Sequence, residues 1–320
     1  MSGFTITAGV SFSGGFTFTE APAAPLSVNT AAWFGGGGGG GQFSTVQRIT
    51  FATDTDTASV RGPLSVGGMG KAAAGNSTDG WFTGGYPSLS TVQRITYATD
   101  TATASVRGPL SGSKYYSAAV SNNDYSWVGG GREGAYLSTV DRITFATDTA
   151  TASVRGPLSV DRSRQAAAGN TTDGWFGGGR NDSVEVVLSR VDRITYATDT
   201  ATASVRGPLS GNRYGLAAVG NTTDAWFGGG NPAAVTTVQR ITYATDTATA
   251  SVRGPLSSAR YLGTSASNNS TAGWFGGGYG GGPALASVDR ITYATDTATA
   301  SVRGPLSAAR SRFAAAGGIQ

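Results

Sequence analysis

The sequence predicts an all-β protein: a six-bladed β-propeller with four-stranded antiparallel blades. Three observations carry that expectation. Six tryptophans, Trp33, Trp81, Trp127, Trp175, Trp226 and Trp274, recur at separations of 48, 46, 48, 51 and 48 residues, the period of a propeller blade. Behind each tryptophan the same segments return in the same order. These are a Trp-Phe-Gly-Gly-like run, a variable stretch, Val-Gln/Asp-Arg-Ile-Thr-Tyr/Phe, Ala-Thr-Asp-Thr, and Ala-Ser-Val-Arg-Gly-Pro-Leu-Ser. Finally, glycine supplies 50 of 320 residues and charged residues only 13%. That composition is too apolar for disorder and too rich in turn residues for a helical protein.

Each unit reads as four short strands, here called a to d. In the fourth unit, strand a is the small-residue run Ala166–Gly169. Asn170-Thr171-Thr172-Asp173-Gly174 then turns, because Asn, Asp and Gly bond locally and tolerate positive φ. Strand b is expected over Trp175–Gly178, and strand c over Val191–Thr198, where apolar and polar residues alternate. Asp199-Thr200 turns into strand d, Thr202–Val205. Gly207-Pro208 ends the ladder, since proline has no N–H to donate.

The ends complete the count. Arg312–Gly317 is a strand a with no strand b after it, while the first repeat opens at Ala31-Ala32-Trp33-Phe34 with no strand a before it. The C-terminal strand is therefore expected to complete the N-terminal blade and leave no free edge. The propeller is placed at 29–320. Residues 1–28 alternate Phe, Ile and Val with small polar residues and end in the stiff linker Glu20–Pro25. They form either an arm that pairs with another chain or a strand on the propeller's own rim.

The units resemble kelch repeats in Gly276-Gly277, Val288-Asp289-Arg290-Ile291-Thr292-Tyr293, Thr297-Ala298-Thr299 and Pro305-Leu306-Ser307-Ala308-Ala309-Arg310. The resemblance covers about residues 30–320. It departs from the family on strand d, where Val60, Val106, Val154, Val205, Val252 and Val302 replace the usual tryptophan. It departs again where the exit arginine becomes Lys114 or Gly68.

Composition excludes much chemistry. With no histidine and no cysteine, thiol nucleophiles, Ser-His pairs and the ordinary zinc sites cannot be built. Galactose oxidase, a kelch-type enzyme, needs both residue types. The glutamates are only Glu20, Glu133 and Glu185, too few for a convincing catalytic pair. Gly35–Gly41 lacks the Lys-Ser/Thr of a phosphate loop. No enzyme activity, cofactor or metal is expected. Lys+Arg 23 nearly balances Asp+Glu 19, and twelve arginines sit at two fixed repeat positions. That indicates a structural role, with Arg48 facing Asp54 and each counterpart likewise, and not a nucleic-acid footprint. No apolar stretch is long enough to cross a bilayer, and the opening does not read as a signal peptide.

Comparison of the six units separates two faces. The a–b and c–d turns are nearly constant, whereas the b–c and d–a connections differ in every unit. The variable connections carry Tyr115, Tyr116, Arg162, Arg164, Arg213, Tyr214, Arg260 and Tyr261 between blades, and Arg132, Tyr136, Arg180 and Tyr279 within them. Tyrosine and arginine favour recognition surfaces, so these twelve residues form the candidate binding face.

The opening segment and the WFGGG…DRITYATDTATASV repeats also resemble kelch-like virion proteins of marine tailed phages. That resemblance implies a non-enzymatic virion component, made in the host cytoplasm, in a tail, tail fibre or surface appendage. Residues 1–28 would contact other virion proteins, the variable face would meet a host-surface glycan or protein, and homo-oligomers are allowed. The alternative is a cellular kelch-type adaptor for protein partners.

Overall fold

The computed structural model describes residues 30–39, 41–181, 186–267 and 270–317. The arm and linker expected over residues 1–28 lie outside the described residues. Six four-stranded antiparallel sheets stand in a ring, each running from an inner strand a to an outer strand d. The inner strands are Ala314–Ala316, Ala72–Gly75, Ala118–Ser121, Ala166–Gly169, Ala217–Gly220 and Thr264–Ser267 for blades 1 to 6. Each packs beside the next, and the sixth packs beside the first. Small side chains are needed there because six strands converge on one axis. Ala314–Ala316 pairs with Ala31–Gly35 in the register Trp33↔Ala316 and Gly35↔Ala314, so the C-terminal strand closes the ring as expected. The chain is a six-bladed β-propeller.

Strand boundaries differ slightly from expectation. In blade 4 strand b spans Asp173–Gly177, and strand d spans Ser204–Arg206. Strand c stops at Thr195, and Tyr196–Thr198 forms a 3-10 turn. The early stop has a packing cause. It carries the aromatic ring off the sheet and onto the tryptophan of the preceding blade. Trp127 stacks on Tyr196 at 3.8 Å, Trp175 on Tyr243 at 3.8 Å, and Trp274 on Phe51 across the closure at 4.1 Å.

The core is correspondingly six cores, one per blade junction. Alternation along strand b sends Trp175 toward blade 5 and Phe176 toward blade 3, as successive strand side chains must point to opposite faces. Between blades 4 and 5, Trp175, Val191 and Leu209 meet Phe227, Ile241 and Tyr243. The other five junctions repeat this arrangement with small changes.

The repeated arginines and aspartates also bridge junctions, which corrects the expected pairing within a unit. Arg48 meets Asp100 at 3.0 Å and Arg290 meets Asp54 at 3.1 Å, each one blade ahead. The strand-d arginine joins the same acid, as Arg206 does with Asp246 at 3.4 Å. The tryptophan indole completes the set: Trp175 Nε1 donates to Asp246 Oδ2 at 2.9 Å. Twelve arginines thus serve the fold, as their fixed positions suggested. At the rim, Gly207 donates its N–H to the Asp246 carbonyl at 2.8 Å. A Cβ on Gly207 would lie 2.0 Å from the Ala248 carbonyl oxygen, so only glycine permits this approach.

Candidate binding face

The b–c and d–a connections lie together, since each d–a segment bridges to the b–c loop of the blade it enters. Tyr115 pairs with Arg132, Ser163 with Arg180, Tyr214 with Asn231, and Tyr261 with Tyr279. The opposite face holds the constant turns. There Asn170 Oδ1 accepts the N–H groups of Thr172 and Asp173, both at 2.9 Å, and Asn76 and Asn221 repeat the turn.

Two residues before every inner strand, the backbone turns left-handed. Gly70, Tyr116, Arg164, Gly215, Leu262 and Arg312 all have φ between 55° and 67°. Their amides form a closed circlet: each N–H donates to the carbonyl of its counterpart in the preceding blade, at 2.6 to 2.8 Å, and Gly70 donates to Arg312. This ring frames the mouth of the central channel. The channel wall is mainly alanine, from Ala73, Ala119, Ala167, Ala218 and Ala315, with Ser265 in the sixth place.

Most of the expected face residues gather around that mouth. Tyr115 stands edge-on to Tyr86 at 5.5 Å and to Tyr116 at 5.2 Å. The Arg164 guanidinium lies over Tyr116 at 4.7 Å and over Tyr214 at 5.6 Å, and Arg180 covers Tyr214 from 5.4 Å. Asn231 donates to the Tyr214 hydroxyl at 2.8 Å. On the other side Tyr261 contacts Tyr279 at 5.7 Å, and Arg312 lies over Tyr279 at 5.5 Å. Arginine over an aromatic face is held by the ring's quadrupole. The face therefore presents two preset Tyr-Arg groups. Arg213 is half-buried close by, with its pKa drawn down by burial.

Three expected residues do not belong to this surface. Arg162 is fully buried, with Asp192 at 2.7 Å and donations to the Gly178 and Arg190 carbonyls. Burial lowers its pKa and Asp192 opposes the shift. Arg260 repeats this with Asp289 at 3.0 Å. Both side chains turn inward because a strand-c aspartate and strand-b carbonyls provide partners that a buried cation requires. Tyr136 is buried beneath Arg132, whose guanidinium sits 5.2 Å from its ring.

Tyr86, on a variable b–c loop but not among the twelve expected residues, joins the cluster beside Tyr115. One feature escaped sequence reading. Lys71 fills the place left empty by Gly68: its Nζ donates to the Gly84 carbonyl at 2.8 Å, the bond that Arg162 makes to Gly178 and Arg260 to Gly277. A cation three residues after the gap was the available clue.

No protein-family model matches the chain, and no curated protein matches it. Among solved structures, that of YjhT superposes with a TM-score of 0.67 at 13% identity, covering 88% of this chain and 99% of that one. The likeness is one of fold. It places the chain among six-bladed propellers and leaves the loops to be read on their own residues.

Proposed function

We propose that the protein is a non-enzymatic binding component of a phage virion: a kelch-like propeller in a tail, tail fibre or surface appendage whose variable face contacts a host-surface glycan or protein. The observation that carries the binding part is convergence. All connections that differ among otherwise near-identical repeats meet on one face, and their tyrosines and arginines stack there on one another. Fixed aromatic and guanidinium groups lose little entropy on engagement. Many copies on one particle would multiply a weak single-site affinity. The virion setting is supported by the likeness of repeats and opening segment to phage proteins, and residues 1–28 would join the propeller to its neighbours there.

Two measurements test the proposal. Replacing Tyr115, Tyr214 and Tyr261 together with alanine should weaken binding to host cells about 100-fold, at roughly 1 kcal/mol for each aromatic, while circular dichroism stays that of a propeller. Unchanged binding would overturn the face. Mass spectrometry of purified particles should find the chain in stoichiometric amount, and its absence would overturn the virion setting.

A further inference from the structure

We infer that the channel mouth is a binding site for an oxyanion of the carboxylate or sulfate class, either free or as the charged end of a glycan. The inference deepens the reading of this face as a binding face. Arg164 and Arg312 occupy the circlet in blades 4 and 1, three blades apart, and so stand on opposite sides of the mouth. Both are half-buried. Among the described residues neither meets a carboxylate, and the Nε of each is buried without a hydrogen-bond partner. Apart from the Tyr279 ring, Arg312 reaches the Met69 sulfur at 3.5 Å among the described residues. Lys71 also lines this wall, but its ammonium turns away from the mouth to the Gly84 carbonyl. Among the described residues no aspartate or glutamate lines the channel from either end.

Most other cations of the propeller have an acid or carbonyls of their own. Lys114, Arg162 and Arg260 are each matched by a strand-c aspartate, the twelve junction arginines share six more acids, and buried Arg310, with Gln47 on its strand c, is held by the Gly36 and Thr45 carbonyls. Among the described residues, the guanidinium groups of Arg164 and Arg312 meet neither an acid nor a carbonyl. Two arginines without an acid beside a narrow apolar wall focus a positive field outward. Planar guanidinium forks suit the oxygens of carboxylate and sulfate. The arginines are also held ready, Arg164 over Tyr116 and Tyr214, and Arg312 over Tyr279. The cavity of about 130 Å³ admits several water-sized groups, enough for one such anion at the entrance.

The test is calorimetric titration of the full chain at low ionic strength with sodium sulfate, sodium glucuronate and, as neutral control, glucose. Saturable binding of either anion, without binding of glucose, is expected. The pair Arg164→Gln and Arg312→Gln should abolish it, and each single change should weaken it roughly 10-fold or more. Sulfate and glucuronate binding alike points to a free anion, while glucuronate alone points to a glycan end. No saturable binding of either anion, or binding that survives the double change, overturns the inference. Should the double variant misfold, Arg164→Lys and Arg312→Lys decide: each keeps its charge but loses the fork, and affinity equal to the parent overturns the site. Host-cell binding that still depends on the three tyrosines, with no anion binding, would leave the face reading intact and remove only this one.

Discussion

Asp246 shows how much one residue can hold. It is almost fully buried, yet it accepts from the Trp175 indole at 2.9 Å and meets Arg193 at 3.2 Å and Arg206 at 3.4 Å. Asp246→Ala leaves those three donors without their acceptor, so the loss should be that of breaking a buried charge pair, about 3–5 kcal/mol. Asp246→Asn keeps one acceptor oxygen and should fall between the two. Urea unfolding measures both, and a loss under about 1 kcal/mol for the alanine variant would refute this account. The sequence showed the importance of these acids and arginines but assigned each arginine the acid of its own unit. In a near-perfect repeat every unit carries both residues, so spacing alone cannot say whether a pair closes within a blade or across to the next. The strand geometry decides: the strand-c arginine points toward the following blade, and the acid sits on the turn that follows.

At the scale of the element, the d–a connection was the least legible part of the chain. Its glycines at Gly70 and Gly215 suit a left-handed backbone, but Tyr116, Arg164, Leu262 and Arg312 adopt the same φ against their preference. The closed circlet of six hydrogen bonds offsets that strain, and no local pattern announces a bond between residues some 50 positions apart. Lys71 belongs to this element, and its environment yields a pH test. Burial draws its pKa from 10.5 down to about 8. Between those values the unfolded chain binds more protons than the folded one, so this group makes stability rise with pH across the window. Below about pH 8 both states are charged and the burial cost is complete, on the order of 3 kcal/mol. Lys71→Met removes the group. Other side chains titrate in the same range, so the useful quantity is the difference in unfolding free energy between parent and variant from pH 7.5 to 10.5. That difference should shift in favour of the parent by up to this amount, and a pH-independent difference would refute the assignment.

The whole molecule is a ring of six junctions, and its stability depends on the ring being closed. No blade has a core of its own: each Trp, Val and Leu set is completed by the Phe, Ile and Tyr of a neighbour. Opening one junction therefore exposes apolar surface on two blades. The closing strand contributes on both sides, because Ala314 and Ala316 pack between blades 1 and 2 while Phe313 packs between blades 6 and 1. Ending the chain after Arg312 removes these residues, frees the Ala31–Gly35 edge, and opens the inner wall of the channel. Loss of Phe313 alone should cost about 3–5 kcal/mol, and the lost strand pairing adds to it. At the 2–4 °C per kcal/mol seen in smaller domains, the melting temperature should fall by roughly 10 °C or more. The transition should also broaden as blade 1 loosens before the rest. The freed edge is a template for pairing with another chain, so the shortened protein should form higher oligomers in light scattering. A chain ending at Arg312 that melted within about 2 °C of the full protein, and stayed at the parent's oligomeric state, would show that the blades stand without closure.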